Sequence, residues 1–252
     1  MFSFLRRQGS STASAPGAEG KYALVALGDS ILSDCYPGPA QGAASLVFQN
    51  IDHKFSEFRG RDLKHRFPDG QFLNLTRSGF VLNDVLQSCT NIPNRAQVQV
   101  LLLSVGGNDV LGGLLGSEAA WADWHQQFLS LVMGLRQRFG SKTLVCSLYD
   151  PTDGTGVLPS AIASGTSPQT APLVLKKLAL LERMNLLLRD VAHQADSGYV
   201  DIYRHFLGHG SSRLDQNGRA LEGYWFQRDI EPSSTGASET RRVILQCLES
   251  LA

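Results

Sequence analysis

Apolar runs alternate with amphipathic stretches along the chain from Lys21 onward. Short, nearly continuous apolar runs are typical of buried strands, whereas apolar residues at three- and four-residue spacing indicate helices. The apolar runs predict five strands, at residues 21–27, 72–75, 97–105, 142–148 and 199–202. The amphipathic stretches predict helices at residues 43–58 and about 81–89, a long helix spanning Trp121 to Leu135 that Ser117 caps, one from Pro172 to about Ala195, and a last one that includes residues 243–251.

The regular alternation of strands and helices predicts an α/β domain, a three-layer α/β/α sandwich with a parallel sheet of about five strands. The domain is expected to cover residues 21–252, after a flexible N-terminal tail of residues 1–20. Glycine and proline residues interrupt the pattern at residues 150–170, so a flexible loop is expected after the fourth strand. Loops at that edge of a parallel sheet often carry function.

Composition and charge exclude several classes of partner. The chain of 252 residues is 42% apolar and 18% charged, as in an ordinary soluble globular protein, and its 23 basic and 23 acidic residues cancel. Such a balance provides no field that would attract nucleic acid or an anionic membrane surface, so neither partner is expected. No apolar stretch approaches the roughly 20 residues that a transmembrane helix needs, and the sequence specifies no oligomeric state.

Cysteine usage indicates a reducing compartment, and we therefore expect a cytoplasmic protein. The acid-poor tail, which contains serines and two arginines, also weakly resembles an organelle import signal, and plain disorder is its other interpretation. The cysteines show neither C-x-x-C pairing nor a histidine at zinc-ligand spacing, which predicts free thiols, most of them in the core, and no metal site. They are Cys35, Cys89, Cys146 and Cys247.

Two polar blocks follow predicted strands and contain residue types that support acyl transfer. Gly28-Asp29-Ser30 directly follows the first strand, and Gly106-Gly107-Asn108-Asp109 follows the third. Because the carboxyl ends of parallel strands gather at one edge of the sheet, Ser30 and Asn108 are expected to converge in one crevice. A serine supplies a nucleophile, and an asparagine amide supplies a hydrogen-bond donor for an oxyanion. Asp29 is expected to fix the loop through backbone hydrogen bonds.

Together with Gly79 in the segment Asn74-Leu75-Thr76-Arg77-Ser78-Gly79, these blocks resemble, in order, the first three motifs of the GDSL or SGNH hydrolase superfamily. The resemblance covers most of the chain from Lys21 onward. It implies a flavodoxin-like sheet and hydrolysis of an ester or thioester through a covalent acyl group on Ser30, without metal or cofactor. Gly79 and Asn108 would then donate a backbone and a side-chain N–H to the oxyanion.

Each of these residues also has a purely structural interpretation. Ser30 could cap a helix after the first strand, because serine is a favoured N-cap residue. Gly79 could be an ordinary turn glycine, and Asn108 could form an Asx-turn.

The general base departs from the superfamily pattern. The last motif is usually Asp-x-x-His-Pro before the final helix, whereas this chain has Asp229-Ile230-Glu231-Pro232 there. Glu231 therefore occupies the histidine position, and Asp229 lies one residue out of register. Three alternatives are open. Glu231 is the base, with a pKa raised by burial or by Asp229; His205 or His209, which follow the fifth strand, replaces it; or the chain keeps the fold without fast turnover.

The sequence favours a serine ester hydrolase that acts on a small acyl ester or on an acylated glycan or lipid. Residues 31–42 and the loop 150–170 are expected to shape its acyl pocket. A binding protein or an impaired enzyme on the same fold is the alternative, because the usual histidine is missing. A flavin- or nucleotide-binding protein is disfavoured, since the loop after the first strand has neither G-x-G-x-x-G nor a Walker lysine.

Overall fold

The computed structural model describes residues 20–158, 172–227 and 229–251. One parallel sheet of five strands, in the order β2-β1-β3-β4-β5, forms its centre. This is the flavodoxin-like doubly wound order, so the predicted fold is confirmed. The predicted tail lies outside the described residues except for Gly20, as does most of the predicted loop 150–170. The strands are β1 (Lys21–Gly28), β2 (Gln71–Thr76), β3 (Gln97–Ser104), β4 (Lys142–Cys146) and β5 (Gly198–Val200).

Helices cover the sheet on both faces. The strand β1, which has a neighbour on each side, is accordingly apolar, and every residue in it after Lys21 is buried. None of the helices described combines the length and apolar character that a bilayer crossing requires. They are α1 (Ala43–Phe48), α2 (Leu63–Arg66), α3 (Leu82–Ser88), α4 (Gly107–Leu111), α5 (Glu118–Phe139), α6 (Pro172–Gln194), α7 (Ile202–Phe206) and α8 (Ser234–Ser250).

The helices form two groups. The first and last helices, α1 and α8, pack against each other, while α5 packs against both α3 and α6. The predicted cap of the long helix is confirmed, because the Ser117 hydroxyl accepts a hydrogen bond from the Ala120 N–H at 3.2 Å. The helix that begins at Pro172 and ends near Ala195 is also as predicted.

The predicted helix at 43–58 is wrong beyond Phe48, where α1 ends. Asn50 is buried, and its side-chain Nδ2 donates to the carbonyl oxygen of Phe55 at 2.9 Å and to Asp52 Oδ1 at 2.7 Å. Side-chain bonds of this kind compete with the helical hydrogen bonds of the backbone. The apolar residues at helical spacing therefore pack from a turn, and only a short 3₁₀ helix at Ser56–Phe58 follows.

A small antiparallel hairpin, absent from the sequence prediction, lies between α7 and α8. Its strands are β6 (Phe226–Gln227) and β7 (Glu231–Pro232), with Phe226 opposite Pro232 and Gln227 opposite Glu231. The hairpin leads directly into α8, whose cap Ser233 accepts a hydrogen bond from the Gly236 N–H at 3.2 Å.

All four cysteines are free thiols, as predicted, but the expectation that most of them are core residues is wrong. Only Cys146, at the end of β4, is buried. Cys89 and Cys247 are half-buried, and Cys35 is exposed in the turn region after β1.

Candidate active site

The turns after β1, β2 and β3 begin at one level of the sheet. Gly28 at the end of β1 is in register with Thr76 at the end of β2 and with Ser104 at the end of β3. The strand order reverses between β1 and β3, and such switch points are where doubly wound proteins bind ligands. Three of the predicted site residues lie two to four residues beyond this level: Ser30, Gly79 and Asn108.

Asp29 holds the turn that carries Ser30 against β3. Its backbone N–H donates to the carbonyl oxygen of Ser104 at 3.1 Å, and its Oδ1 accepts from the Ser104 hydroxyl at 3.0 Å. The same Oδ1 accepts from the Ile31 N–H at 3.1 Å, which confirms the expected loop-fixing role. A Cβ on Gly28 would lie 2.9 Å from the carbonyl carbon of Ser104, so this close approach of two strands requires glycine.

Ser30 and Gly79 both lie in turns. Ser30 is partly exposed, and it caps no helix because α1 begins only at Ala43. Gly79 has a φ of 85°, and no heavy atom lies within 4 Å of a Cβ built on it. The backbone N–H groups of Ser30 and Gly79 donate to no acceptor among the described residues. Both groups are therefore available to a ligand.

Asn108 is the second residue of α4 and links two of the turns. Its Nδ2 donates to the carbonyl oxygen of Phe80 at 3.0 Å, across from the turn that contains Gly79. This is a long-range contact between the β2 and β3 loops and not an Asx-turn. A side-chain amide carries two N–H donors, so one remains for a ligand.

Asp109, to which the sequence analysis assigned no role, fixes the position of α4. Its carboxylate is buried and accepts from the Leu82 N–H at 3.2 Å and from the Trp124 indole N–H at 2.9 Å. These bonds join α4 to the first turn of α3 and to α5. Burial raises the pKa of Asp109, while the bonds from Leu82 and Trp124 act against that rise.

Glu231 reaches the same edge from the hairpin. Burial raises the pKa of Asp29 to about 7; hydrogen bonds from Ile31 and Ser104 oppose the rise, and the negative charges of Glu231 and Asp109 add to it. The Glu231 carboxylate is thus close enough for its charge to act on the residue that precedes Ser30.

Asp229 has a different neighbour. Burial, with the charges of Asp229 and Asp153, raises the pKa of the Tyr224 phenol to about 12. The charge of Asp229 therefore acts on the Tyr224 phenol, and the charge of Glu231 acts on Asp29.

The two candidate histidines make contacts away from the Ser30 turn. His205 Nε2 lies 3.0 Å from Glu239 Oε2, which joins α7 to α8. His209 Nδ1 lies 2.8 Å from the carbonyl oxygen of Gly223. The His209 ring also stacks on Trp225 with a centroid separation of 3.4 Å. Within the described part of the chain, no hydrogen bond, ion pair or ring contact joins either imidazole to Ser30 or Asp29.

Tyr149 is a neighbour of the site that the sequence analysis missed. It follows β4 by three residues, and its hydroxyl donates to the carbonyl oxygen of Ile230 at 2.8 Å. A tyrosine after a strand carries no motif, so only the folded chain reveals this bond. In the described ranges, no group of three or more His, Cys, Asp or Glu residues could hold a metal ion.

Comparisons with known proteins identify the family of the chain. The model of the GDSL-like lipase/acylhydrolase family matches residues 26–237. No curated protein sequence matches the chain significantly.

Several solved structures share the fold at low sequence identity. Axe2, an acetylxylan esterase from Geobacillus stearothermophilus, has a TM-score of 0.58 at 16% identity, covering 92% of this chain and 95% of its own. A GDSL-like lipase from Parabacteroides merdae, described as putative, has a TM-score of 0.59 at 13% identity, covering 94% and 99%. TesA has a TM-score of 0.56 at 18% identity, covering 91% and 99%.

Proposed function

The chain belongs to the GDSL-like lipase/acylhydrolase family, and on this premise we propose that it hydrolyses acyl esters through a covalent acyl-serine on Ser30. The observation that carries the proposal is the common level at which β1, β2 and β3 end. From that level, Ser30 presents a hydroxyl, and its own N–H, the Gly79 N–H and the second N–H of Asn108 have no acceptor among the described residues.

In the proposed reaction, Ser30 Oγ forms a bond to the ester carbonyl carbon while its proton passes to the Glu231 carboxylate. The carbonyl oxygen becomes negative and is stabilised by the N–H groups of Ser30, Gly79 and Asn108. When the carbonyl re-forms, the bond to the alcohol oxygen breaks, and that oxygen takes the proton from Glu231. Water then attacks the acyl-serine by the same route and releases the carboxylic acid and the Ser30 hydroxyl.

The proposal assigns the base to Glu231 because its charge acts on Asp29, next to Ser30. A nearby negative charge raises the proton affinity of a carboxylate above that of a solvated one. The hydrogen bonds of His205 with Glu239 and of His209 with Gly223 commit those imidazoles elsewhere. Asp229, the other acidic residue of this motif, acts through its charge on Tyr224.

A binding protein without turnover is the second candidate function. The observation that favours it is Glu231 itself, since a carboxylate stands where the superfamily has histidine. Fold alone does not decide between the two functions.

The proposed substrates are small acyl esters and acylated glycans or lipids. The fold shared with an acetylxylan esterase is a reason to include acetylated sugars among the esters tested. We propose a cytoplasmic location, because four free thiols suit a reducing compartment.

A fluorophosphonate probe tests the nucleophile. We expect a single adduct on Ser30, and Ser30→Ala should lose both the adduct and the hydrolysis of short p-nitrophenyl esters. Ser88→Ala is the matched control, because Ser88 is half-buried like Ser30 but ends α3, where its hydroxyl donates to the Val85 carbonyl oxygen. An adduct on another residue, or full activity in Ser30→Ala, would contradict the assignment. A wild type that neither reacts nor hydrolyses any ester is a binding protein.

A second set of variants tests the base. Glu231→Gln should lower kcat by about 10² or more, the usual contribution of a general base. His205→Gln and His209→Gln should keep turnover near that of the wild type. The reverse pattern would move the base to the loop after β5.

A further inference from the structure

Tyr149 occupies a position between the main sheet and the β6–β7 hairpin. It is buried, with 8% of its surface exposed, and it follows the end of β4. Its ring stacks on Phe206 of α7 with a centroid separation of 5.0 Å and meets Phe226 of β6 edge-on at 5.0 Å. The ring is therefore held by packing on two sides, and its hydroxyl has a fixed direction.

The hydroxyl of Tyr149 donates to the Ile230 carbonyl oxygen at 2.8 Å. That carbonyl belongs to the peptide group whose nitrogen is the backbone nitrogen of Glu231. Phe226 of β6 lies opposite Pro232 of β7. Tyr149 therefore contacts β6 through its ring and the residue before β7 through its hydroxyl. A shift of Glu231 toward or away from the sheet would break this bond.

The backbone before Tyr149 is itself fixed. The side chain of Asn185 in α6 accepts from the Leu148 N–H at 2.8 Å and donates to the Leu148 carbonyl oxygen at 2.9 Å. The backbone N–H and the carbonyl oxygen of Leu148 are thus both hydrogen-bonded to one buried side-chain amide. The backbone next to Tyr149 is therefore held in place, as is needed for a residue that positions another element.

We propose that Tyr149 is a positioning residue: its hydrogen bond to the Ile230 carbonyl holds the Glu231 carboxylate at the Asp29–Ser30 turn. The inference rests on the proposed function, in which Glu231 accepts the serine proton. Tyr149 does not transfer a proton itself. Burial, together with the charges of Glu231, Asp29 and Tyr36, raises the pKa of its phenol well above the ordinary value, so the hydroxyl remains a donor throughout the range of an enzyme assay.

The test is Tyr149→Phe, which removes one oxygen atom and keeps the ring contacts with Phe206 and Phe226. We expect kcat to fall by about tenfold or more with KM within about twofold, because a displaced base slows proton transfer without weakening substrate binding. Tyr22→Phe is the matched control. Tyr22 is equally buried, at 7% exposed, but lies at the start of β1, at the end of the strand away from Ser30. Its hydroxyl makes no hydrogen bond among the described residues. It should leave kcat unchanged.

A double-mutant cycle separates positioning from a structural role. In a Glu231→Gln background, Tyr149→Phe should cause no further fall in kcat, because the residue through which it acts is already disabled. Independent, multiplicative losses would overturn the proposal, and so would an unchanged kcat in the single variant. Melting temperatures of all variants are measured, and kcat is compared only below the lowest of them. If Ser30 forms no adduct, or Glu231→Gln retains full kcat, the proposed function has failed instead.

Should Tyr149→Phe not fold, Asn185→Asp offers a second route. It keeps the acceptor for the Leu148 N–H but loses the donor to the Leu148 carbonyl, which loosens the base of Tyr149 without touching the hairpin. We expect kcat to fall more than KM rises. An unchanged kcat in a folded Asn185→Asp variant would count against the proposal.

Discussion

The side-chain amide of Asn108 donates a hydrogen bond of 3.0 Å to the carbonyl oxygen of Phe80. The bond fixes the amide and leaves its second N–H for the proposed oxyanion. Asn108→Ala should lower kcat by roughly 10² to 10³ with little change in KM, the usual result of removing one oxyanion donor. Steady-state kinetics with a short p-nitrophenyl ester measure both constants. A loss confined to KM would show that Asn108 binds substrate and does not act on the transition state.

Gly28 and Gly79 both have positive φ, but they differ in the space around them. A Cβ on Gly28 would meet the Ser104 backbone, whereas a Cβ on Gly79 meets nothing within 4 Å. Gly28→Ala should therefore destabilise by roughly 2–5 kcal/mol, from strain and overpacking together, and Gly79→Ala by only about 1–2 kcal/mol. Urea denaturation measures both changes. Equal losses would contradict the difference in packing.

Gly79→Ala should also lower kcat, since its methyl group enters the open space beside the proposed oxyanion donor. Gly140→Ala is the matched control, because Gly140 has a φ of 59°, has equally open surroundings and ends α5, just before β4 begins. It should show a similar loss of stability and a normal kcat. Loss of activity in both variants would trace the effect to stability alone.

The buried Asp29 carboxyl should make stability fall with rising pH. Burial raises its pKa from 3.8 to about 7 in the folded protein, so the folded state holds the proton more tightly than the unfolded state does. Its stabilising contribution is complete below about pH 4 and is lost as the pH rises to about 7. Asp29→Asn keeps an acceptor for Ile31 and Ser104 and removes the charge. It should be the more stable protein at pH 8, by up to about 4 kcal/mol, at about 1.4 kcal/mol for each pKa unit.

Urea denaturation between pH 4 and 8 tests this slope, with the exposed Asp69→Asn as control. The stability of Asp29→Asn relative to wild type should increase with pH, and that of Asp69→Asn should not. Parallel profiles for all three proteins would show that Asp29 is ionised at no measurable cost.

Glu239 should have the opposite effect. Burial acts to raise its pKa, but hydrogen bonds from His205 and Arg242 outweigh burial and lower the pKa to about 2. Its contribution to stability is present above about pH 4.5 and is lost as the pH falls toward 2. Glu239→Gln should cost about 1–2 kcal/mol at pH 7 and nothing near pH 2. The exposed ion pair of Glu249 with Arg61 is the comparison, and Glu249→Gln should cost less than about 0.5 kcal/mol.

The parts of this protein that could be predicted from sequence are those with a local signal. The apolar run of β1 spans a strand covered on both faces, and Ser117 precedes a regular amphipathic helix that it caps. The polar blocks after the strands predicted that Ser30 and Asn108 lie at one edge of the sheet, because parallel strands end at a common edge, and β1 and β3 do end at one level. These inferences need only the residue pattern and the rule for the sheet.

The parts that were missed depend on contacts between distant segments. The side-chain hydrogen bonds of Asn50 favour an end of α1 at Phe48, and the spacing of apolar residues carries no sign of such bonds. The strands of the β6–β7 hairpin are two residues each, too short for an alternating pattern. The bond from Tyr149 to Ile230 joins residues 81 positions apart, so it exists only once the sheet has formed.

The β6–β7 hairpin forms a two-stranded sheet of its own, separate from the five-stranded sheet. Position 231 therefore belongs to a piece of chain that contributes no residue to the central strands and none of the proposed oxyanion donors. In the proposed mechanism, the proton acceptor therefore lies on a short hairpin, whereas Ser30 and Asn108 lie in the turns after β1 and β3. Replacing Glu231 by histidine, cysteine or lysine changes a residue of β7 and no residue of β1 or β3. Different proton acceptors at position 231 can therefore be compared in variants that all keep Ser30 and the strands around it.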